Sequence, residues 1–239
     1  MLMGALTRRA IADMEHGLIA LVDELLDSNE AEDGGDLIDH FASAIPAEII
    51  GNLLGVPHAD RASLRHWSLA ILGATNLIGN ALVALQEFPG ARTELLSKQE
   101  LLTQYLPGLE AYFSSVIDEF LRFESSNQLG NRRALKAARV GNIDIAAGSR
   151  LTQRIGAANR APLVFERPDQ LDFGRQSNRQ YASGFGIHQC AGMNWRGWKA
   201  ALRLGRFLQR FPRFQLNASP VRDGRARFRR VLSAPFTLR

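Results

Sequence analysis

Cys190, the single cysteine of this 239-residue chain, is the residue whose type and surroundings indicate the most specific chemistry. It lies in the segment Gly184-Phe-Gly-Ile-His-Gln-Cys-Ala-Gly192, where three glycines and a histidine surround the thiol just before a predicted helix. Glycines let backbone N–H groups turn toward one point, and a helix N-terminus adds positive potential, so both favour the thiolate. A lone cysteine excludes an internal disulfide and the zinc sites that need two to four thiolates. The alternative is simple burial of a small side chain.

A thiolate held in such a loop suits an axial position on heme iron, because the sulfur donates electron density while backbone N–H groups temper its charge. The segment resembles the heme-binding signature of the cytochrome P450 family, Phe-Gly-x-Gly-x-His-x-Cys-x-Gly, with Ser183 in place of the first aromatic residue. The resemblance implies heme b as the cofactor, Cys190 as the iron ligand, and Gly184 and Gly186 as part of the heme-binding loop. His188 is expected to approach a heme propionate or simply to pack.

A second motif, Glu119-Phe-Leu-Arg122, places an acid and a base three residues apart, on one face of a predicted helix. It resembles the Glu-x-x-Arg motif of the same family, which implies a structural role in the heme-side core. Arg132 falls where the family has an arginine that pairs with a heme propionate, and Arg133 is the close alternative. A solvated arginine at a strand end is the competing interpretation.

The resemblance also implies that half of the distal helix, which crosses the heme face in this family, is missing. The segment 73–80 resembles the second half of that helix, whereas the first half, which carries an acid and a threonine for proton delivery, has no counterpart. Leu72 stands in the place of the acid and Gly73 in the place of the threonine, while Thr75 matches a later, non-catalytic threonine. No catalytic residue is therefore expected to be intact, and proton relay would depend on water.

Several other positions depart from the family pattern. Two large side chains, Trp195 and Trp198, follow the cysteine in the predicted proximal helix, where overpacking would cost about 1–3 kcal/mol unless both face outward. Gln170 and Gln180 stand where basic residues are common, and Lys136-Ala137 stands where an acidic pair is usual. Together these departures suggest a sequence that is no longer held to the catalytic pattern.

The likeness begins partway into the family's domain, so we expect one incomplete domain over residues 1–239. Mid-domain helices are expected in 1–72, and the distal-helix remnant, Glu-x-x-Arg helix, meander, Cys loop and proximal helix in 73–239. The expected fold is mainly α with a minor β part, a partial cytochrome P450 fold. The implied function is a heme-thiolate monooxygenase that inserts one oxygen atom of O2 into a small organic substrate. The alternative is a decayed, non-catalytic remnant, heme-binding or heme-free.

Apolar residues recur at steps of three and four in several segments, which predicts amphipathic helices. An acidic loop is predicted over 28–35, and Pro89-Gly90 is predicted to close the helix before it. The predicted helices cover 10–26, a segment from Asp36, 46–53, a segment from Asp60, 76–86, about 107–121 and 191–211, and the predicted strands cover 143–145, 150–153, 214–216 and 227–231.

Charge is distributed unevenly along the chain. Residues 1–125 carry 7 Lys+Arg and 19 Asp+Glu, a net charge of −12, whereas residues 126–239 carry 22 and 5, a net charge of +17. A basic half of this size can steer an acidic partner, which agrees with the ferredoxin-type electron donor, an acidic iron–sulfur protein with its reductase, that the resemblance implies. The densest basic cluster is Arg222, Arg225, Arg227, Arg229 and Arg230.

Nucleic-acid binding by this Arg-rich end is a minor alternative, because no recognition motif accompanies the charge, and a solvated edge strand or tail is the plainer interpretation. The apolar stretches are broken by charges before about 18 residues, so no membrane span is expected. The N-terminus lacks a signal-peptide hydrophobic run, which favours a cytoplasmic location.

Overall fold

The computed structural model of the chain describes residues 15–44, 46, 48, 51, 55–57, 60, 73–98, 110–190 and 193–238. Helices dominate this part of the chain and the strands are short, so the predicted fold class, mainly α with a minor β part, is confirmed. The helices are α1 (Glu15–Ala31), a π-helix (Leu37–Ala42), α2 (Gly73–Glu87), α3 (Pro89–Ser97), α4 (Glu110–Phe123), the four-residue α5 (Ile155–Ala158), a 3₁₀ turn (Gly186–His188) and α6 (Met193–Arg210). No described helix is both long and apolar enough to cross a bilayer.

Helix α2 forms the centre of the core. Its residues from 76 to 85 are all buried, because it packs against the π-helix, α3, α4 and α6. A helix that is buried on every side and mainly apolar requires such surroundings, and its two asparagines, Asn76 and Asn80, are buried with it. Beside it, the ring of Phe207 on α6 packs on four other rings at centroid distances of 5.0–5.7 Å, those of Phe41, Phe211, Phe214 and Phe236.

The end of the first helix was predicted too early. The acidic segment predicted as a loop over 28–35 is helical as far as Ala31. Asn29 is buried and its side-chain amide donates to a backbone oxygen one turn earlier, at 2.6 Å. Glu30 forms an ion pair with Arg210 at the end of α6. The local bond of Asn29 and the distant pair with Arg210 stabilise the acidic turn as helix, and the local hydrophobic pattern does not carry the information about the distant pair.

The helix predicted to start at Asp36 is confirmed as the π-helix, and Asp36 is its N-cap. One carboxylate oxygen accepts from the backbone N–H of Ile38 at 2.8 Å. The other accepts from the N–H of Ala234 at 2.9 Å, which fastens the start of this helix to the C-terminal strands. A side-chain oxygen that satisfies free N–H groups at a helix start is the usual capping arrangement.

Pro89-Gly90 was predicted to close a helix, and in the structure it both follows the end of one helix and begins the next. Helix α2 ends at Glu87, and Pro89 then occupies the first turn of the new helix α3. Proline suits a first turn because the N–H that it lacks would have no partner there. The predicted helices over 46–53 and from Asp60 lie mostly outside the described residues.

The described part of the chain has nine short strands: β1 (Gly34–Asp36), β2 (Leu129–Arg133), β3 (Ala138–Val140), β4 (Ile143–Ile145), β5 (Arg150–Arg154), β6 (Gln215–Leu216), β7 (Val221–Arg222), β8 (Val231–Ser233) and β9 (Pro235–Thr237). They form four small antiparallel sheets, in the orders β1-β9-β6, β2-β5, β3-β4 and β7-β8. The strands predicted at 143–145 and 150–153 are confirmed as β4 and β5, which pair with β3 and β2 respectively.

The C-terminal strand predictions are partly right. The strand predicted over 214–216 is confirmed as β6. The strand predicted over 227–231 was placed too early, because β8 begins at Val231. Phe228 makes an isolated bridge to Asn127, so this segment follows the chain just after α4 without forming a regular ladder.

Candidate functional site

The Glu119–Arg122 pair predicted on one helix face is present on α4, and both side chains are 0% exposed. The guanidinium binds the carboxylate through two bonds, Nε to Oε2 at 2.8 Å and Nη2 to Oε1 at 2.7 Å. A fork of this kind is the strongest geometry available to such a pair. The predicted structural pair is thus a desolvated ion pair, in which each charge depends on the other.

Arg122 uses its five N–H groups in this environment. Besides the two bonds to Glu119, Nη1 donates to the backbone oxygens of Asn159 at 3.0 Å and Pro168 at 2.8 Å, and Nη2 donates to that of Gln170 at 2.9 Å. The guanidinium carbon also lies 5.3 Å from the ring centroid of Phe165. The residues after α5 therefore wrap around one buried cation that has no unsatisfied donor.

Glu119 is equally well bound, through partners that the sequence did not reveal. Its carboxylate accepts from the N–H of Asp172 at 2.9 Å, from Nε of Arg175 at 3.2 Å and from Nδ2 of Asn178 at 3.0 Å. Arg175 is a structural residue that our sequence reasoning missed. The Arg-rich composition of the irregular segment over 159–179 was visible, but it did not distinguish this buried arginine from its exposed neighbours.

Two more side chains fasten the irregular segment that leads into the Cys loop. Asn159 is fully buried. Its amide nitrogen donates to Ser125 Oγ at 2.6 Å, and its amide oxygen accepts from the N–H of Tyr181 at 2.8 Å. Gln180 Nε2 donates to Asp118 Oδ1 at 3.1 Å, and Gln180 Oε1 accepts from the N–H of Ala182 at 2.8 Å. Helix α4 and its C-terminal extension therefore hold the chain immediately before the cysteine.

The carboxyl of Asp118 is partly withdrawn from water by this packing. Burial raises the pKa of Asp118, and hydrogen bonds from Gln180 and Ser114 oppose that shift by stabilising the carboxylate. Gln180 was identified in the sequence as standing where basic residues are common. The structure shows that a neutral amide serves this position, because one end donates to the acid and the other accepts from the backbone.

The Cys loop itself is shaped by its own backbone. The N–H of Cys190 donates to the oxygen of Ser183 at 2.8 Å, and the N–H of Gly184 donates to that of Tyr181 at 2.9 Å. Gly184 and Gly186 have φ of +76° and +63°, a region that favours glycine. A Cβ at Gly184 would lie 2.7 Å from the backbone oxygen of His188, so that glycine is required by space as well as by conformation.

The far end of the loop faces outward. Cys190 and His188 are exposed, Phe185 is 77% exposed and Ile187 is 98% exposed. Burial of Cys190 as a small core residue, the alternative considered above, is wrong. The thiol is accessible to a ligand, beside large apolar side chains that a flat apolar molecule could cover. This donor set fits a heme, for which an open thiolate is the appropriate axial group.

Arg132 lies on β2, opposite Leu151 of β5. Its guanidinium donates to the backbone oxygen of Asn131 at 2.8 Å and makes no ion pair within the described residues. Arg133, the alternative for the propionate contact, donates to the backbone oxygen of Gly148 at 3.3 Å. The described hydrogen bonds of Arg132 and Arg133 stay within β2 and its neighbouring turn, whereas Asn159 bonds both to Arg122 and to Tyr181 at the start of the Cys loop.

The positions of the missing distal pair are only partly described. Leu72 lies outside the described residues, and Gly73 is the first residue of α2. The backbones of Thr75, Trp195 and Trp198 are helical, but their side chains lie outside the description. Neither the expected overpacking by the two tryptophans nor the expected loss of proton relay is tested by the structure.

The Arg-rich C-terminal end is largely tied into internal ion pairs. Arg222 and Arg229 both contact the buried carboxylate of Glu124, at 3.3 and 3.1 Å. Two further arginines, at positions 225 and 230, contact Asp223 at 2.8 and 2.7 Å. This cluster connects the C-terminal strands to the end of α4, and four of its five guanidinium groups already have carboxylate partners.

Comparison with known proteins gives a consistent result. The family model described as Cytochrome P450 matches residues 107–231, more than half of the chain. Cytochrome P450 107B1 of Saccharopolyspora erythraea is 28% identical over 275 aligned positions, which include 90% of this chain and 67% of that protein. The polyketide biosynthesis cytochrome P450 PksS of Bacillus subtilis is 26% identical over 276 positions, with 90% and 68% covered. Because 90% of 239 residues is about 215, these alignments contain internal gaps in this chain.

Solved structures show the same fold. PksS from Bacillus subtilis superimposes with a TM-score of 0.87 at 21% identity, covering 99% of this chain and 76% of the other. A structure of P450BioI in complex with an acyl carrier protein that bears hexadec-9Z-enoic acid gives a TM-score of 0.88 at 22% identity, with 98% and 77% covered. The predicted partial fold is thereby confirmed. On the family match and the shared fold, this chain is a member of the cytochrome P450 family, whose members bind heme b.

Proposed function

We propose that this chain is a heme-thiolate protein of the monooxygenase type, with Cys190 as the axial ligand of the heme iron. The observation that carries the proposal is the contrast at the Cys loop, where an exposed thiol lies at the end of a segment that is fastened to α4 and its C-terminal extension. A ligand site needs this combination, because the donor atom must be open while its approach is fixed. The motif matched in sequence and the geometry of the loop support the same residue.

The chain's own residues would hold the group as follows. Gly184 and Gly186 give the loop its left-handed turns, which carry Cys190 to the open face. Arg132 would bind a propionate, since its guanidinium makes no ion pair among the described residues. His188 is exposed and close to the cysteine in sequence, so it is the second candidate for a propionate contact. When bound, heme supplies one-electron redox chemistry and the capacity to activate dioxygen.

The reaction proposed is insertion of one oxygen atom of O2 into a small organic substrate. It needs protons at the oxygen-binding face, and Leu72 and Gly73 provide neither a carboxyl nor a hydroxyl at the two positions where the family carries them. Water would have to move these protons instead. We therefore propose slow or uncoupled turnover, and a non-catalytic heme-binding or heme-free remnant is the alternative.

The proposed electron donor is an acidic ferredoxin-type iron–sulfur protein with its reductase. The charge of +17 over residues 126–239 supports such a partner, because the field of a basic surface accelerates encounters with an acidic one. Arg179 is an exposed cation in the irregular segment that leads into the Cys loop, and it forms no ion pair with the described residues. Electron transfer should therefore slow as salt is added.

The test is spectroscopic. The chain is expressed with a heme supply, reduced under carbon monoxide, and compared with Cys190→Ala. We expect a thiolate-type, red-shifted Soret band in the parent and its loss in the variant. Arg139→Ala is the matched control, because its exposed guanidinium contacts Asp144 on the neighbouring strand β4 and its loss should leave the band in place. Absence of heme uptake by the parent would contradict every heme-dependent function proposed here.

Turnover separates the enzyme from the remnant. A parent that shows the thiolate band is supplied with ferredoxin, reductase and reduced nicotinamide, and the electrons consumed are compared with the product formed and the peroxide released. Slow oxygenation with much peroxide supports the proposed impaired monooxygenase. Intact heme binding without any product supports the remnant.

Salt-dependent retention on DNA, compared with a chain in which Arg227 is replaced by alanine, tests the minor nucleic-acid alternative.

A further inference from the structure

We infer that Gln180 is a positioning residue that sets the register of the Cys190 loop by coupling it to Asp118 on α4. The inference rests on the proposed function, because it concerns how the proposed iron ligand is oriented. It adds a role for Gln180, a side chain that departs from the family's sequence pattern. Gln180 belongs neither to the Cys loop motif nor to the ion-pair network of Glu119 and Arg122.

The geometry is directional at both ends of the side chain. Gln180 Nε2 donates to Asp118 Oδ1 at 3.1 Å, and Gln180 Oε1 accepts from the N–H of Ala182 at 2.8 Å. An amide is suited to this bridge because it carries a donor and an acceptor on one rigid group. A carboxylate could satisfy the backbone N–H but would face Asp118 with no hydrogen to donate.

The bridge acts on the residue next to the one that contacts the cysteine. It holds Ala182, and the next residue, Ser183, accepts from the N–H of Cys190 through its backbone oxygen at 2.8 Å. The path from α4 to the proposed ligand thus runs through the side chain of Gln180, the backbone of Ala182 and Ser183, and three hydrogen bonds. Beyond this point Gly184 turns the chain away with a positive φ, and the loop is exposed.

The contribution of Gln180 is separable from that of the rest of the network. Asn159 holds the intervening residue, Tyr181, through a separate hydrogen bond of 2.8 Å, and Asn178 binds Glu119 at 3.0 Å. Neither contact involves Gln180, so we expect both to persist and the segment to stay attached when Gln180 is changed. What changes is the orientation of Ala182 and of the carbonyl that follows it.

The experiment uses Q180E, the double variant D118N/Q180E, and Q176E as a matched control. Q180E keeps the size of the side chain but opposes two carboxylates. The double variant restores one donor and one acceptor with their direction reversed, because the amide introduced by D118N can donate to the introduced carboxylate. Gln176 is an exposed glutamine four residues earlier, and its amide contacts only its own turn at Gly174 within the described residues.

The first readout, amide hydrogen exchange in the heme-free chain, does not depend on heme. Loss of one partly buried hydrogen bond corresponds to about a threefold to tenfold change in a local opening equilibrium. We expect exchange at Cys190 and Gly184 to be faster by that factor in Q180E, unchanged in Q176E, and restored in the double variant. A merely structural effect would instead accelerate exchange along the whole of α4 and would not be restored.

The second readout is the share of the ferrous carbon monoxide complex that shows the thiolate-type Soret band. We expect that share to fall in Q180E and to recover in D118N/Q180E. Exchange and spectrum in Q180E equal to those in Q176E, or failure of the double variant to recover, would overturn the positioning role. If the parent takes up no heme, the proposed function fails, while the exchange measurement still decides whether Gln180 sets the loop.

Discussion

The two halves of the candidate site are held in opposite ways. Around Arg122, every donor of a buried guanidinium has a partner, and the carboxylate of Glu119 accepts five hydrogen bonds. Around Cys190, backbone hydrogen bonds from Cys190 to Ser183 and from Gly184 to Tyr181 shape the loop, and residues 185–190 are exposed. One region is stabilised by long-range pairing and the other by local conformation.

The difference shows how a ligand site can be both open and fixed. An exposed thiol cannot be held by burial, so its position depends on where the preceding segment is fastened and on turns that follow from glycine. The charged network contributes to the fastening, and the desolvation cost of its central pair is offset by the full pairing of Arg122 and Glu119. The two regions should therefore respond differently to substitution.

The largest expected effect is at the buried ion pair. Arg122→Ala leaves the fully buried carboxylate of Glu119 without its main partner, and we expect a loss of about 3–5 kcal/mol in the free energy of unfolding. Urea unfolding followed by circular dichroism measures this. Arg122→Lys provides a milder variant, since it keeps the charge but cannot reproduce the two-bond fork.

The matched control is an exposed ion pair at the C-terminal end of α3. Lys98 contacts Glu94 at 2.9 Å with both side chains about 40% exposed, so Lys98→Ala should change the free energy of unfolding by at most about 1 kcal/mol. Similar losses for Arg122→Ala and Lys98→Ala would mean that the central pair does not anchor the site.

The second effect separates two glycines of the Cys loop. Gly184→Ala places a side chain in a left-handed backbone and 2.7 Å from the oxygen of His188, whereas Gly186→Ala meets nothing within 4 Å. The left-handed backbone alone costs about 1–2 kcal/mol at either position. Steric overlap adds about 1 kcal/mol or more at Gly184. Unfolding midpoints of the two variants measure the difference, and equal midpoints would show that the close approach does not constrain the loop.

The smallest effect concerns the acid that links the two regions. The pKa of Asp118 is raised by burial and held back by Gln180 and Ser114, so Gln180→Leu should raise it further. The folded state then binds its proton more tightly than the unfolded chain does. The stability due to this group is fully present below the unfolded pKa, near 3.9, and is lost as pH rises through the higher folded pKa.

Carboxyl-carbon NMR titration of the parent and of Gln180→Leu measures the pKa of Asp118 directly. Gln176→Leu serves as the control, because Gln176 makes no contact with this carboxyl among the described residues. A pKa that stays the same or falls in Gln180→Leu would show that the hydrogen bond does not stabilise the carboxylate.

Much of the fold could be predicted from local pattern. The central helix α2, the α4 helix with its acid and base, and the strands β4 and β5 follow directly from periodicity and composition. The failures share a cause. The acidic turn before Ala31 is helical because Glu30 meets Arg210, and the segment near Phe228 bridges to Asn127. Each depends on residues far away in the chain.

The motifs of the site could be predicted from the sequence, but the long-range side-chain contacts that hold them could not. Cys190, Gly184 and Gly186 could be identified because a functional loop concentrates unusual residues in a few positions. Arg175 and Asn159 could not be identified, because any arginine or asparagine in an irregular segment has the same local signature. Their roles follow from burial beside Glu119 and Tyr181.

By itself, the sequence determined the family motif around Cys190, the spacing that puts Glu119 and Arg122 on one helix face, and the glycines that permit left-handed turns. These are local properties, set by residue type and by distances of a few positions. Only the tertiary structure decided that the thiol is exposed, that the ion pair is buried, and that an amide at Gln180 couples the two regions. Burial and long-range hydrogen bonding depend on which distant segments meet, and that is a property of the folded chain as a whole.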